Sequence, residues 1–486
     1  MWESEKRFAA DGKLFRRAVW VLLLGYAAAI ILFYFLAGEQ LHLRESRGDI
    51  ALEPADSGTV ELVAGSIVEQ QFTAEIQRLE QVEVQWGTYY RPNTGRVFVE
   101  LLDVRNGRVL MAQGFDAASI SEGGLTVLTA KEPIEGLYKA PLLLRITSPN
   151  GQPGSAVSPL MNTQGELEDG ALTLNGQHVQ GVLCFTARGT DYIWTGLHYW
   201  EFAGIGLALL LAGVLFVWLR VRAGRRSYVI NALAAVQKYR FLIRQLVARD
   251  FKTKYKRSVF GVFWSFLNPL LTMIVQYFVF STIFKSDVPN YPVYLLIGIV
   301  SFNFFSEACG MALVSILGNA SLITKVYMPK YIYPLTRVMS SVVNLGIALI
   351  PLVMVAWGTG VGFQKASVLA IYFLCCLIVF SLGVGLLLSA AMVFFRDTQF
   401  LWGVLSMMWM YVTPIFYPES ILPDNFRVIL QINPLYHFLK NTRMCILDGI
   451  SPEPAVYVHC LLMALGALLL GALVFRKTQD RFVLYI

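Results

Sequence analysis

"LVARDFKTKYKRSVFGVFWSFLNPLL", residues 246–271, joins a dense run of positive charge directly to an apolar stretch. Five basic residues fall within the nine positions from Arg249 to Arg257, and the apolar stretch follows at once. Basic residues beside an apolar span are typical of the cytoplasmic boundary of a membrane protein. The stretch therefore predicts that the chain enters a bilayer here, with the charged side facing the cytoplasm.

The composition extends this prediction to the whole chain. Of 486 residues, 56% are hydrophobic and only 15% are charged, which indicates a polytopic membrane protein. Apolar stretches of roughly 20 residues, enough to cross a hydrocarbon core of about 30 Å, predict eight transmembrane helices. They lie at residues 18–37, 200–219, 259–284, 293–317, 338–359, 367–394, 400–417 and 455–475.

The first of these stretches is predicted to be a retained anchor, so that residues 1–37 form a cytoplasmic N-terminus and a membrane helix. Its apolar run is longer than that of a signal peptide, and "YFLAGEQL" offers a poor cleavage site. Residues 200–230 are predicted to be a second transmembrane helix and a linker.

Basic residues are concentrated in segments that share one face of the membrane if eight helices are present. Residues 1–17 carry five of them, residues 220–257 carry twelve and residues 324–337 carry three. The excess of Lys and Arg in cytoplasmic loops then predicts a multi-pass protein of the cell membrane with both termini in the cytoplasm. Residues 38–199 would be extracytoplasmic.

This outer segment has the opposite charge. Residues 38–199 contain 11 Lys and Arg against 20 Asp and Glu, a net charge of −9, whereas the whole chain carries +7. The basicity therefore belongs to the membrane part, and we expect no nucleic acid partner. A single cysteine, Cys184, lies in this segment, so no disulfide can form within it.

The outer segment also changes in pattern. Between residues 58 and 190, β-branched or alternating runs such as "SIVEQQFTAEI" and "GRVFVELLDV" are separated by turn signals such as "RPNTG" and "SPNGQPG". Six to nine short strands spaced in this way predict an inserted all-β sandwich, jelly-roll-like in kind.

A cluster of aromatic residues in "WGTYYR" makes a candidate glycan platform on this domain, since aromatic faces stack on sugar rings. Its residues are Trp86, Tyr89, Tyr90 and Arg91. The same residues could instead fill the core of the sandwich and its loops. The domain as a whole could contact an exported glycan or have a structural or docking role.

Residues 231–257 predict an amphipathic helix in the inner membrane interface, because apolar residues recur near helical spacing with basic residues between them. Attraction to anionic lipid, about 1 kcal/mol per basic residue, would by itself explain the charge. The candidate contacts to lipid headgroups are Arg249, Asp250, Lys252, Lys254, Lys256 and Arg257.

The order of residues in this stretch carries a more specific signal. The pattern "L-x-x-x-D-x-K-x-x-Y-K-x-S-x-x-G-x-x-W-x-x-L-x-P", running from Leu246 to Pro269, resembles the start of the membrane domain of ABC-type polysaccharide exporter permeases. That family exports O-antigens and teichoic acids. Three further blocks resemble the family in the family's order, at residues 319–338, 394–420 and 432–449.

The resemblance implies a six-helix exporter domain over residues 258–486, to which the anchor, the sandwich and the second helix are additions. It also implies a homodimer that works with two copies of a separate ABC ATPase. The chain has no G-x-x-x-x-G-K-[ST] motif, so ATP and Mg²⁺ would be bound by that partner. We expect no catalytic residue, metal site or cofactor in this chain.

Residues 319–338 resemble the short cytoplasmic segment through which the family contacts its ATPase. The candidate contact residues are Lys325, Tyr327, Lys330, Tyr331 and Arg337. An ordinary cytoplasmic loop is the alternative. The segment 418–454 is predicted to re-enter the outer leaflet as short helices, which in the family close the outer mouth.

The spans are almost free of ionisable residues, which argues against an ion-driven carrier. The exception, Glu307, is predicted to face the interior of the bundle and to bond a neighbour such as Asn303. Aromatic residues are the candidates for a polymer path, although many could face lipid or the interfacial belt. They are Trp264, Tyr277, Phe302, Phe305, Trp402, Trp409, Tyr411 and Phe416.

The sequence thus predicts the permease of an ATP-driven exporter for a lipid-linked polysaccharide or a teichoic-acid-like polymer. One alternative is a membrane-embedded transferase that modifies glycans, which would need a His or carboxylate constellation. His459 is isolated in the sequence, and His437 has no acid partner in its block. The other alternative is a glycan-sensing surface receptor, for which eight spans exceed what anchoring requires.

Overall fold

The computed structural model describes residues 2–48, 55–167, 170–223, 234–256, 260–284, 288–325 and 328–485. The chain divides into two compact units. One comprises residues 1–41 and 198–486, and the other comprises residues 42–197. Each unit has its own hydrophobic core.

The first unit is helical. Its helices are α1 Trp2–Ala37, α2 Tyr199–Arg222, α3 Arg240–Tyr255, α4 Phe263–Phe284, α5 Tyr291–Leu313, α6 Ala320–Lys325, α7 Ile332–Gly358, α8 Ala370–Phe394, α9 Thr398–Val412, α10 Asp424–Ile432, α11 Pro434–Arg443 and α12 Pro454–Thr478. Within the described residues, seven are long and apolar enough to span a membrane, namely α1, α2, α4, α5, α7, α8 and α12.

The structure differs from the prediction at residues 400–417, which do not form a long membrane-spanning helix. Helix α9 has only 15 residues and ends at Val412, and the chain then runs without helix to Pro418. Pro414 explains the break, because proline lacks an amide hydrogen and disfavours helical backbone in the residue before it. The short helices expected within residues 418–454 are present as α10 and α11.

Helix α5 lies at the centre of the bundle, with most of its residues buried. Phe305 packs between Phe380, Trp402 and Trp409, with ring centroids 5.7, 5.8 and 5.2 Å away. Small residues let α8 and α12 approach closely, since a Cβ on Gly471 would lie 2.1 Å from the carbonyl oxygen of Gly383. Backbone contact through small residues is a common way of packing membrane helices.

Two sets of contacts join segments that are distant in sequence. Beyond α1, the Gln40 side chain donates to the Gly449 carbonyl at 3.2 Å and accepts from the Ser451 amide at 2.8 Å. Before α7, Lys330 Nζ donates to the Gln479 carbonyl at 2.5 Å. The chain therefore brings the end of α1 to the loop after α11, and the start of α7 to the C-terminal segment.

The second unit is a β-sandwich of two antiparallel sheets. Its strands are β1 Leu43–Gly48, β2 Ser57–Gly58, β3 Ile67–Thr73, β4 Arg78–Gly87, β5 Arg96–Asp103, β6 Arg108–Asp116, β7 Leu125–Glu135, β8 Pro141–Thr147, β9 Ser158–Asn162, β10 Leu172–Leu174, β11 Gln177–Val179, β12 Val182–Leu183 and β13 Phe185–Tyr192. One sheet has the order β1-β13-β4-β9-β12, with β2 beside β9 and β7 beside β4. The other has the order β11-β10-β3-β8-β5-β6.

Alternation along the strands builds the sandwich core. In β8, "PLLLRIT", Leu142, Leu144 and Ile146 are buried while the residues between them are not. Successive side chains of a strand point to opposite faces, so one apolar face suffices to close the core. Phe72 and Phe185, from different sheets, meet edge to face at 4.8 Å. The described strands number thirteen, more than the six to nine expected, because several are only two or three residues long.

One buried arginine supports the non-helical segment after α9. Arg443, at the end of α11, donates through Nη1 to the Pro414 carbonyl at 2.6 Å and through Nη2 to the Ile415 carbonyl at 2.9 Å. Its Nε and Nη2 also donate to the Tyr294 carbonyl, at 3.3 and 3.2 Å. Gly298 leaves room for it, since a Cβ there would lie 2.8 Å from Nη2. Carbonyl groups at membrane depth need such internal partners.

Replacing this arginine should therefore destabilise the helical unit. We expect Arg443→Met to lower the free energy of unfolding by about 3 kcal/mol or more, because buried carbonyls lose a charged donor. Gly298→Ala should act in the same direction by crowding the guanidinium. SDS titration in detergent micelles would measure both effects.

Lys365→Met, at an exposed position before α8, is the matched control and should change stability by no more than about 0.5 kcal/mol. Equal stability of Arg443→Met and Lys365→Met would contradict the role assigned to Arg443.

Candidate functional site

Helix α3 carries the basic run that precedes the membrane helix α4. Leu246 and Asp250 are its buried residues, and Lys252 and Lys256 are exposed. Arg257, also predicted to contact lipid headgroups, lies outside the described residues. The helix therefore turns one acidic side chain inward and most of its basic side chains outward.

Asp250 is the centre of a charged cluster, with a side chain only 5% exposed. Its Oδ1 lies 3.2 Å from Arg249 Nη2 and its Oδ2 lies 3.0 Å from Arg337 Nη1. Arg249 Nη2 also donates to Asn319 Oδ1 at 3.5 Å. The cluster thus joins α3 to α7 and to the segment just before α6.

Glu307 of α5 forms a second cluster one turn further along α3. Lys254 Nζ lies 2.8 Å from its Oε1, and Asn344 Nδ2 donates to the same oxygen at 2.7 Å. Tyr255 donates to Asn344 Oδ1 at 3.1 Å and is hydrogen-bonded to the hydroxyl of Ser265. The partners of Glu307 therefore come from α3 and α7 rather than from Asn303 on its own helix. A lysine can neutralise the carboxylate, which an asparagine cannot do.

These two clusters line adjoining cavities of about 310 and 700 Å³. Both cavities include Lys254, Glu307 and Asn344 in their walls, and together they are called the polar groove below. Toward the interior the groove continues past Trp264 to Val300. Val300 is thirteen residues from the end of α5, or about 20 Å at 1.5 Å per residue. The groove therefore reaches well into the depth of the bilayer.

The charges of the groove favour an anionic ligand. Its walls contain three cations, Arg249, Lys254 and Arg337, and two carboxylates, Asp250 and Glu307. The side chains of Arg249 and Lys254 keep 51% and 41% of their surface exposed, so both can reach a ligand. Ionisable groups at membrane depth are expensive and usually mark a functional site. Lysine and arginine together bind phosphate through charge-assisted hydrogen bonds.

The residues predicted to contact the ATPase do not form one exposed loop. Lys325 ends α6, its side chain is not among those described, and Tyr327 lies outside the described residues. Lys330 bonds the C-terminal segment, and its Nζ lies 5.8 Å from the centre of the Phe482 ring. Tyr331 packs against the same apolar cluster as Phe482. Arg337 is paired with Asp250, so the segment is tied to both α3 and the C-terminus.

The aromatic residues predicted to line a polymer path fall into two groups. Four are buried in the core of the single chain: Phe302, Phe305, Trp402 and Phe416. Trp409 is partly buried against that core, and its indole donates to Asn433 Oδ1 at 2.8 Å. The exposed ones are Trp264, Tyr277 and Tyr411. Of the eight, Trp264 is the one in the wall of the polar groove.

The predicted glycan platform of the sandwich is also divided. Trp86 is fully buried and donates to Thr126 Oγ1 at 2.7 Å, so it belongs to the core. Tyr89 and Tyr90 are exposed, and the guanidinium of Arg91 lies over the Tyr89 ring at 4.9 Å. Of the four predicted residues, Tyr89, Tyr90 and Arg91 therefore remain candidates for a platform.

Several side-chain contacts were not found from the sequence. His459, expected to be isolated, lies beside His437 with ring centroids 5.0 Å apart. Asn344 and Ser265 contribute to the polar groove although neither is charged. The available signal for them was a polar side chain within an apolar span, and the same signal would have found Arg443.

The Asp250–Arg337 pair should couple α3 to α7 energetically. We expect Asp250→Asn and Arg337→Gln each to destabilise the protein, and a double-mutant cycle to give a coupling energy of about 1 kcal/mol or more. The pair Lys440–Glu419, with side chains 49% and 39% exposed, is the control. Exposed pairs contribute roughly 0–1 kcal/mol, so its coupling should be smaller. Additive effects at Asp250 and Arg337 would contradict the proposed link.

Comparison with known proteins identifies the helical part of the chain. Residues 242–447 match the ABC-2 type transporter family. An O-antigen export system permease protein, RfbA, of Klebsiella pneumoniae is 28% identical over 254 residues, covering 50% of this chain and 93% of the relative. The RfbA protein of Myxococcus xanthus is 26% identical over 258 residues, covering 52% and 98%. The polysialic acid transport protein KpsM of Escherichia coli is 22% identical over 246 residues, covering 49% and 93%.

About half of this chain therefore matches nearly the whole length of each relative, and the family match begins within α3. The sandwich and the helices α1 and α2 lie outside the family match. The resemblance predicted from the sequence is confirmed, because residues 242–447 match the ABC-2 type transporter family.

Proposed function

We propose that the chain is the permease subunit of an ATP-driven exporter that moves a lipid-linked polysaccharide across the cytoplasmic membrane. The polar groove carries this proposal. It gives a domain of the exporter family a charged chamber at the membrane boundary, next to the segment that resembles the ATPase contact. The relatives named above, which are export permeases for O-antigen and a transport protein for polysialic acid, support the substrate class.

In this proposal the groove receives the phosphate-bearing head of the glycolipid. Arg249 and Lys254 supply positive charge at the groove, while Lys252 and Lys256 attract anionic headgroups at the surface. A phosphate that displaces Glu307 from Lys254 would exchange one anion for another at the same ammonium group. Trp264 offers an aromatic face further along the groove, where the first sugars would follow.

The proposed topology has both termini in the cytoplasm and the sandwich outside. Its support is the pairing of segments at each end of the bundle. The contact of Lys330 with Gln479 joins two segments that the charge distribution assigns to the cytoplasm. The contacts of Gln40 with Gly449 and Ser451 join two segments that it assigns to the outside.

The energy for transport comes, in this proposal, from a separate ABC ATPase that holds ATP and Mg²⁺. Two such subunits would act on a homodimer of this chain. A push on the segment before α7 would reach α3 through Arg337 and Asp250, because Asp250 is buried and Arg337 is partly buried, so the pair has little freedom to slide. Movement of α3 would in turn shift Lys254 relative to Glu307.

The rival transferase function is less well supported. The imidazole pair His437 and His459 is the arrangement such an enzyme would use, but His437 Nε2 is hydrogen-bonded to the Gln431 carbonyl at 2.8 Å. Among the described residues, neither imidazole is hydrogen-bonded to a carboxylate, which an acid–base pair would need.

The proposal predicts hydrolysis of ATP that depends on the glycolipid. The chain would be co-purified with a candidate ATPase of the same genome in lipid nanodiscs, and ATP hydrolysis would be measured with and without extracted lipid-linked glycan. We expect the glycan to stimulate the wild-type complex. Lys254→Met should raise the half-stimulating glycan concentration about tenfold, a loss of about 1.4 kcal/mol, while basal hydrolysis is retained.

Lys252→Met removes an exposed lysine of the same helix that does not line the groove, and it should respond as the wild type does. Failure of any ATPase to associate, or an equal effect of the two lysine variants, would contradict the proposal.

A further inference from the structure

Two consecutive tyrosines in the loop between β4 and β5 have an unusual conformation. Tyr89 and Tyr90 have φ angles of 56° and 54°, in the left-handed region that bulky residues rarely adopt. Tyr90 is 90% exposed and Tyr89 is 46% exposed. Burial therefore cannot explain why these positions hold tyrosine rather than glycine or asparagine. Non-glycine residues held in this region are concentrated at functional sites.

The loop is held in this conformation by a carboxylate from the loop between β6 and β7. Glu122 Oε2 accepts hydrogen bonds from the Thr88 amide and the Thr88 hydroxyl, both at 2.7 Å, and from the Tyr90 amide at 3.3 Å. These bonds, the Thr88 hydroxyl first among them, lower the pKa of the Glu122 carboxyl. The Glu122 carboxylate is thus ionised at neutral pH and already hydrogen-bonded to the loop that carries the two tyrosines.

A second carboxylate, that of Glu61, fixes Arg91, the residue that follows Tyr90. Arg91 is paired with Glu61 and lies over the Tyr89 ring, and Glu61 Oε2 accepts from the Gly154 amide at 2.8 Å. Asn93 Nδ2 donates to the Thr88 carbonyl at 3.0 Å from a buried position. The two tyrosine rings are therefore presented by a rigid loop, which lowers the entropy lost when a ligand binds.

Polar groups lie at the same end of the sandwich as the two tyrosines. The Thr94 and Ser155 hydroxyls are exposed and 3.0 Å apart. Asn150 accepts from the Arg96 amide at 2.8 Å, which joins the loop after β8 to the start of β5. Exposed aromatic faces beside hydroxyl groups fit the chemistry of a pyranose ring, which has apolar faces and hydroxyl edges.

The charge of the domain narrows the class of glycan that it can bind. The outer segment, residues 38–199, carries a net charge of −9. Arg91, which lies over the Tyr89 ring, is already paired with Glu61. A polyanionic chain would be repelled by this domain, whereas a neutral sugar would not.

We propose that the loop of Tyr89 and Tyr90 is a binding site for a neutral pyranose glycan. Tyr90 stacks on a sugar ring, Tyr89 extends the platform, and Thr94 and Ser155 bond sugar hydroxyls. That this glycan is the exported polymer rests on the proposed function; the site itself does not.

The test uses the full chain in lipid nanodiscs, carrying a fluorescent label, on an array of neutral and anionic glycans that includes polysialic acid. Wild type should bind at least one class of neutral glycan and should leave polysialic acid unbound. Tyr90→Ala should weaken neutral-glycan binding at least tenfold, and Tyr90→Phe should retain it, because the ring face is what stacks. Tyr90→Gly should lose binding yet raise the melting temperature, because glycine adopts a positive φ without strain.

The matched control is Tyr138→Ala. Tyr138 is 51% exposed in the loop between β7 and β8. Strands β5 and β8 are antiparallel, with Phe98 opposite Thr147 and Asp103 opposite Leu142. Tyr90 precedes the start of β5 and Tyr138 precedes the start of β8, so the two tyrosines lie at opposite ends of the sheet. Its replacement should leave binding unchanged.

Binding of no neutral glycan would overturn the proposal, as would equal binding by Tyr90→Ala or a preference for polysialic acid. Because no ATPase is present, a failure here would leave the exporter proposal standing. If the chain binds a neutral glycan but no ATPase associates with it, the glycan site would stand and the exporter proposal would fail.

Discussion

An ionised side chain in a bilayer needs a partner from the protein, and this constraint organises the membrane domain. Glu307 lies within an apolar helix and is neutralised by Lys254 of a different helix. Asp250 is buried between Arg249 and Arg337. Each pair therefore fixes the position of α3 against α5 or α7. Removing the partners of Asp250 would leave a buried charge, which is far more costly than an exposed unpaired charge.

The same constraint applies to the backbone. Where α9 ends at Val412 the chain continues without helix, and Arg443 supplies the donors that the buried carbonyls of Pro414 and Ile415 would otherwise lack. The short helix α9 and this supported non-helical segment together provide the crossing between α8 and α12 that the proposed topology requires. In consequence the domain has polar, hydrogen-bonded structure at both of its ends, and the charged groove lies at only one of them.

Much of this architecture could be predicted from the sequence, because apolar length, basic loops and alternating strands report directly on membrane spans and sheets. Seven of the eight predicted spans correspond to long apolar helices. The length of the helix predicted at residues 400–417 was overestimated. Hydropathy counts Pro414 and its neighbours as membrane residues but does not register the hydrogen bonds that the proline breaks. Side-chain partners were harder to predict, since the contacts of Glu307 and Asp250 join helices that are distant in sequence. Burial of Trp86 and exposure of Tyr90, only four positions apart, likewise depend on the turn that follows β4.

Photo-crosslinking would test whether the glycolipid binds in the groove beside α3. A benzoyl-phenylalanine would replace Trp264, which lines the groove, or Phe278, which is 68% exposed on the same helix and does not. After illumination of membranes that contain the lipid-linked glycan, we expect a glycan adduct at position 264 and little or none at position 278. Equal labelling of both positions, or labelling at position 278 alone, would contradict it.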